Sequence, residues 1–283
     1  MDMNCKKSET SPLWYYISEK KEDAVLFIHS AFADHTQYDS QINAFSNYFT
    51  VITLDLIGHG KSTNVKKGDS IDKTAEWIKA ILDQEKIKKI HLVGISIGAV
   101  LAADFANRYP EMVKSLACFG GYDINNFYVK AQNKNQMTQL MMMLKAIFSI
   151  KWFAKSNKLI SAYTPEAQEA FYQMNIRFPK KSFMYLSGLN KLINKYASVE
   201  RNYPLLIGCG EKDIPMELKL IEMWHEREPK SEVVVFKGAG HLVNMDTPTE
   251  FNKVVMDFIH RADERQTAFA DKGVMQQHED HLA

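Results

Sequence analysis

Three side chains could between them carry out nucleophilic catalysis: Ser96, Asp213 and His241. A serine hydroxyl attacks a carbonyl only when a base takes its proton and a carboxylate orients that base. Ser96 stands in Gly94-Ile95-Ser96-Ile97-Gly98, with the apolar run Ile90, Leu92, Val93 before it and an alanine- and leucine-rich helical spacing after it, up to Tyr109. Strand, tight turn and helix form the context in which G-x-S-x-G exposes a serine at the end of a sheet. Gly94 and Gly98 lack the Cβ atoms that would collide where helix and strand crowd together. The helix that follows aims its N-terminus at the site, where partial positive charge favours a developing oxyanion. The bare pattern also fits an ordinary Gly-Ser turn, so its weight comes from the rest of the chain.

In a parallel sheet the functional groups collect at the carboxyl ends of the strands, which is where an acid and a base are expected. Gly210-Glu211-Lys212-Asp213-Ile214-Pro215 directly follows an apolar run ending near Cys209, and Gly238-Ala239-Gly240-His241 follows another ending near Phe236. Asp123, reached through Gly120-Gly121-Tyr122, is a rival acid. Asp213 is favoured because its Gly-x-x-Asp turn has the more direct route to a strand end. Asp55 also ends a strand and reads as a residue that holds a turn. His225 and the pair His278/His281 show no coherent metal-ligand spacing and read as solvent-facing.

The elements that must position these residues are legible as apolar runs. Leu13–Ile17 reads as an edge strand, and Ala24–Ile28, Thr50–Leu54, Ile90–Val93, Val113–Phe119, Leu205–Gly210 and Val233–Phe236 read as further strands. Helical periodicity covers Gln41–Tyr48, Ser70–Glu85, Met216–Glu228 and Pro248–Arg261, and the polar tail from Ala262 is expected to fray. Near-uniformly apolar strands alternating with helices imply a mostly parallel, doubly wound α/β sheet covered on both faces. Tyr122 to Arg201 breaks that rhythm with helices only, carrying Met137, Leu140, Met141, Met142, Met143, Leu144, Ile147 and Phe148. The predicted organisation is a core from residues 1–121 and 202–283 with a helical cap inserted at 122–201. Within the cap the methionines either adapt to varied apolar groups or simply pack helices together; both readings stand.

Length and composition narrow the partners. A chain of 283 residues, 46% hydrophobic and 24% charged, can bury one large core. A net charge of +1 gives no electrostatic footprint for nucleic acid or an anionic membrane. Cys5, Cys118 and Cys209 are spaced for neither a disulfide framework nor a zinc site, and the last two read as buried thiols. The first residues lack the apolar stretch of a secretion signal, and no apolar run approaches the ~18 residues needed to span a bilayer. The expectation is a cytoplasmic enzyme acting on a small molecule, as a monomer or homodimer.

The order Ser96, Asp213, His241 resembles the α/β-hydrolase fold family. Asp55-x-x-Gly58-x-Gly60-x-Ser62, Tyr109-Pro110-Glu111-x-Val113, and Gly240-His241 with Pro248-x-x-Phe251 are similar to further signatures of that family. The resemblance implies a triad in which Ser96 attacks, His241 relays the proton and Asp213 orients the imidazole, with no cofactor or metal. It implies an oxyanion hole from the backbone N–H groups of Ile97 and Ala31. The family's usual His-Gly pair is His29-Ser30 here, which leaves Phe32 open as the alternative donor. It also implies that the 122–201 insertion caps the nucleophile. A serine at the elbow separates the chain from dehalogenase-like and epoxide-hydrolase-like relatives, which use aspartate there. Hydrolysis of an ester with an apolar acyl group is the leading expectation. Thioester or C–C bond hydrolysis, acyl transfer to another acceptor, and a ligand receptor with slow hydrolysis are the alternatives.

Overall fold

A computed structural model describes residues 3–126, 148–196 and 201–280, with side chains up to Arg265 apart from that of Ser187. The apolar runs form the interior of one eight-stranded sheet: β3 (Ala24–Ile28), β4 (Thr50–Asp55), β5 (Ile90–Ile95), β6 (Val113–Phe119) and β7 (Leu205–Gly210). Only Lys114 interrupts their burial, because helices cover both faces. With β1 (Asn4–Lys7), β2 (Trp14–Ile17) and β8 (Glu232–Phe236), the strand order is β1-β2-β4-β3-β5-β6-β7-β8. The strands from β4 to β8 across the sheet pair in parallel, while β1–β2 and β2–β4 pair antiparallel.

The expected edge strand is therefore not at the edge. β1 lies outside it, Asn4 opposite Ile17 and Lys7 opposite Trp14. All four β1 residues are exposed and polar or charged, so no hydrophobic pattern announces the strand. Lysine suits such a position, since it discourages further strand pairing. Lys6 also reaches Glu85 at 2.7 Å, and Glu85 accepts from the Tyr15 hydroxyl at 2.6 Å.

α2 (Thr74–Gln84), α3 (Ile97–Arg108) and α6 (Pro215–Arg227) pack Ile78, Leu101, Phe105 and Trp224 on one face of the sheet. α1 (Asp39–Phe45) and α8 (Pro248–Asp280) pack Ile42, Phe45, Phe251, Val255 and Phe258 on the other. α3 is buried from Gly98 to Ala106, and its alanines let its backbone approach the strands closely. A Cβ on Gly98 would lie 2.0 Å from the Ile28 carbonyl oxygen, so that approach excludes every other residue.

Between β6 and β7 stands a helical insertion containing α4 (Ile150–Ser161), α5 (Pro165–Arg177) and a 3-10 stretch, Lys180–Leu192. Ser149 and Thr164 cap α4 and α5 by accepting from Trp152 and Ala167 N–H groups. α5 stops before Phe178-Pro179, since proline cannot continue a helix. Met137 to Ile147 lie outside the described residues, and with them the reading of the methionine-rich stretch. Two further expectations are corrected. α8 continues to Asp280 instead of fraying from Ala262, its tail carrying the good helix formers Ala262, Ala268, Ala270, Gln266, Gln276 and Gln277. His225 is half-buried rather than solvent-facing, its Nδ1 2.9 Å from Ser231 Oγ. Cys118 and Cys209 are buried, and burial raises both thiols to about 12.

Candidate active site

Ser96 joins β5 to α3 with φ 57° and ψ −121°, a conformation that non-glycine residues rarely adopt. Its neighbours hold it there: the Ser96 N–H donates to the Phe119 carbonyl of β6 at 2.8 Å, and its own carbonyl accepts from Ala99 N–H at 3.0 Å. The hydroxyl is thereby set at the carboxyl end of the sheet. Ile97 opens α3, so its N–H has no intrahelical acceptor.

The loops after β7 and β8 run together through main-chain hydrogen bonds, Glu211 N–H to Phe236 at 2.9 Å and Lys212 N–H to Ala239 at 2.8 Å. That pairing delivers Asp213 to His241, with Asp213 Oδ2 2.9 Å from His241 Nδ1. The other carboxylate oxygen accepts from Ile214 N–H at 2.7 Å. With Nδ1 donating to the carboxylate, Nε2 is the ring's acceptor. The imidazole packs against Gly120, where a Cβ would fall 2.8 Å from Cε1 and 2.9 Å from Nδ1. Among the described residues no hydrogen bond joins Ser96 Oγ to the imidazole; such bonds often close only when substrate arrives. Asp123 lies elsewhere, taking Asn125 N–H at 2.9 Å and the Asn126 side chain at 3.1 Å, with Arg227 at 3.4 Å.

The electrostatics are dominated by carboxylates. Burial alone would lower the His241 pKa, but the hydrogen bond and charge of Asp213, with the charge of Glu217, outweigh it and raise it to about 9. Glu217 sits in the first turn of α6 with Oε2 buried and lacking a hydrogen-bond partner among the described residues. Burial, helped by the charge of Asp213 and opposed by His241, lifts its pKa to about 7.

The loop after β3 carries the two candidate oxyanion donors. His29 is fully buried and anchors the loop's start: Nδ1 donates to the Ser30 carbonyl at 2.7 Å, and Nε2 accepts from Leu56 N–H at 3.0 Å. Phe32 has φ 65°, and its N–H donates to His59 Nε2 at 3.1 Å. Burial, with the neighbouring His29, pushes the His59 pKa down to about 3, so the ring stays neutral and able to accept. The Ala31 N–H has no hydrogen-bond acceptor among the described residues. Asp55 is buried and holds its loop, accepting from His35 N–H at 3.0 Å, Lys61 N–H at 2.8 Å and the Tyr16 hydroxyl at 3.2 Å.

Sequence reasoning missed Gln37, Asn175, Asn244 and Asp246, all buried polar residues around these loops. Each sits within an ordinary helical or loop pattern, where a polar residue is expected to face water. Only Asp246, five residues after His241 and just before Thr247-Pro248, carried a positional signal.

Among the described residues, no helix is long and apolar enough to cross a membrane. The α/β hydrolase fold family profile matches residues 23–248. The chain is 26% identical over 258 residues to the dihydrolipoyllysine-residue acetyltransferase component of an acetoin cleaving system from Pseudomonas putida, covering 88% of this chain and 66% of that one. It is 22% identical over 258 residues to a 2-hydroxy-6-oxononadienedioate/2-hydroxy-6-oxononatrienedioate hydrolase from Burkholderia vietnamiensis, covering 84% and 88%. The solved structure of a thermophilic esterase from Thermogutta terrifontis superposes with a TM-score of 0.75 at 19% identity, over 93% of this chain and 99% of that one. A mostly parallel eight-stranded sheet, a helical insertion after β6 and a profile match over most of its length make this chain a member of the α/β hydrolase fold family.

Proposed function

We propose that the chain is a serine hydrolase that cleaves esters of small, largely apolar acyl groups through an acyl-enzyme. Ser96 Oγ attacks the ester carbonyl carbon while His241 Nε2 takes its proton. The negative oxygen that forms is received by the N–H groups of Ile97 and Ala31. His241 then gives the proton to the departing alcohol, and a water activated by the same nitrogen releases the acid. Asp213 keeps the proton on Nδ1 and offsets the transient imidazolium charge.

The observation that carries this reading is the 2.9 Å Asp213–His241 pair at the same sheet end as a serine held at φ 57°. Ala31 is preferred to Phe32 as second donor because the Phe32 N–H is already engaged by His59. An apolar acyl group suits the surroundings: beside Ala31, the Phe32 ring packs on Phe153, Phe178 and Phe183 with centroids 4.8, 5.1 and 5.1 Å away. Hydrolysis of a C–C bond in a vinylogous diketone is the second reading, favoured by the similarity to the Burkholderia vietnamiensis hydrolase. Both use the same serine and histidine.

Fluorophosphonate labelling followed by a p-nitrophenyl acyl-chain series tests the proposal. Ser96→Ala should abolish labelling and lower turnover by about 10⁴-fold or more. Absence of turnover at every chain length by a wild-type protein that labels at Ser96 would move the assignment to the C–C bond reading.

A further inference from the structure

A buried carboxylate on the other side of His241 has no part in that mechanism. Asp246 ends the short helix α7 (Val243–Asp246) and points its oxygens at main-chain donors from two parts of the fold. Oδ2 accepts from Gly240 N–H, the residue before His241, at 2.8 Å. Oδ1 accepts from Thr164 N–H at 2.8 Å and from the Thr164 hydroxyl at 2.9 Å, and Tyr163 N–H lies 3.0 Å from both oxygens. Leu242 N–H adds a bond to the Ser161 carbonyl at 2.9 Å. Residues on both sides of His241 are thus tied to the junction between α4 and α5.

The same helix pair grips the loop that carries Ala31. Asn175, fully buried on α5, donates through Nδ2 to the Phe32 carbonyl at 3.3 Å, and Arg177 meets Asp34 at 2.9 Å. The Phe32 ring is enclosed by Phe153 of α4 together with Phe178 and Phe183 beyond α5. A left-handed phenylalanine persists only where its surroundings over-determine it, and here the insertion supplies that constraint. Beneath, Gln37 Oε1 accepts from Ser30 N–H at 2.9 Å, and Gln37 joins Asn244 at 3.2 and 2.8 Å, which closes a ring of contacts.

We infer that the α4–α5 pair is a fixed brace for the catalytic loops rather than a free lid, with Asp246 the positioning residue for His241 and Asn175 the positioning residue for the Ala31–Phe32 peptide. This rests on the reading that Ser96, His241 and Ala31 carry the chemistry. Asp246 faces donors only, so the site needs a side chain that only accepts. Asparagine would turn an N–H toward one of those donors and split the junction from the histidine loop.

Steady-state kinetics on the best p-nitrophenyl ester, with fluorophosphonate labelling rates and thermal melts, test the brace. Asp246→Asn should lower kcat by about 10- to 100-fold with KM within about twofold, since a loop shift of under 1 Å misplaces the reacting groups. Labelling should slow in parallel, and Asp246→Glu, which restores an acceptor-only group, should recover part of the loss. The double variant Asp246→Asn/Asn175→Ala should lose less than the product of the single losses, because both loosen one unit. A folded Asp246→Asn with wild-type kcat, or with its loss wholly in KM, overturns the brace. If Asp246→Asn does not fold, Thr164→Val, which removes one donor of the set, decides by the same criterion. Ser96→Ala separates the levels: residual labelling there removes the serine reading and the brace with it, whereas abolished labelling beside an unaffected Asp246→Asn removes the brace alone.

Discussion

Gly120 provides the sharpest test of where the base sits. It follows β6 at φ 57°, and a Cβ added there would meet His241 Cε1 at 2.8 Å and Nδ1 at 2.9 Å. Carbon atoms settle at about 3.5–4.0 Å, so in Gly120→Ala the ring must retreat by roughly 0.7 Å or more. It cannot do so freely, because Nδ1 is held 2.9 Å from Asp213. A displacement of that order at a reacting group costs up to about 10²-fold in rate. The left-handed backbone adds about 1–2 kcal/mol of strain, partly offset by a lower unfolded-state entropy of about 0.4–1 kcal/mol. For a chain of this size that corresponds to a fall in Tm of a few degrees, on the order of 2–4 °C per kcal/mol. Gly120→Ala should therefore lose about 30- to 100-fold in kcat/KM while remaining folded at assay temperature. Gly68→Ala is the control: it has φ 93° with no atom within 4 Å of the added Cβ, so it should melt earlier and keep its kcat. A folded Gly120→Ala with wild-type kcat/KM would refute the placement of His241 as the base.

Two further outcomes discriminate among the acidic residues. Asp213→Asn should lose about 10⁴-fold in kcat by leaving the imidazole without its orienting charge, whereas Asp123→Asn, whose contacts are with Asn125, Asn126 and Arg227, should lose stability and keep kcat. The reverse result in a kinetic assay would reassign the acid. His241 accepts a proton only when neutral, and its pKa is raised to about 9, so kcat/KM should climb with pH into the alkaline range and fall away below it. Glu217→Gln removes a negative charge that favours the imidazolium, so this limb should move to lower pH; a limb that stays in place shows that Glu217 does not act on His241.

Local order made much of the molecule readable from residues alone. The elbow was legible because its demands fall within five consecutive positions: two glycines for close approach and a serine on a turn between an apolar strand and an alanine-rich helix. The interior parallel strands were legible because burial on both faces forces unbroken apolarity, and β7 thereby pointed to the loop of Asp213. β8, with Val233 and Val235 exposed, was legible instead as a run of β-branched residues leading to the loop of His241. β1 was not, since an exposed strand of Asn, Cys and Lys obeys no burial pattern. Nor could sequence choose between Ala31 and Phe32, whose N–H groups are chemically alike. His59, 27 positions further along, engages one of them only in the folded chain. The Asp246 junction is of the same kind: its donors, Tyr163 and Thr164, are 83 and 82 positions away, and Gln37 and Asn244 meet across 207. Chain neighbours set strands, turns and helices through sterics and burial, which act over a few residues. Buried polar groups take whatever partners the packed fold brings to them, and only tertiary structure fixes which those are.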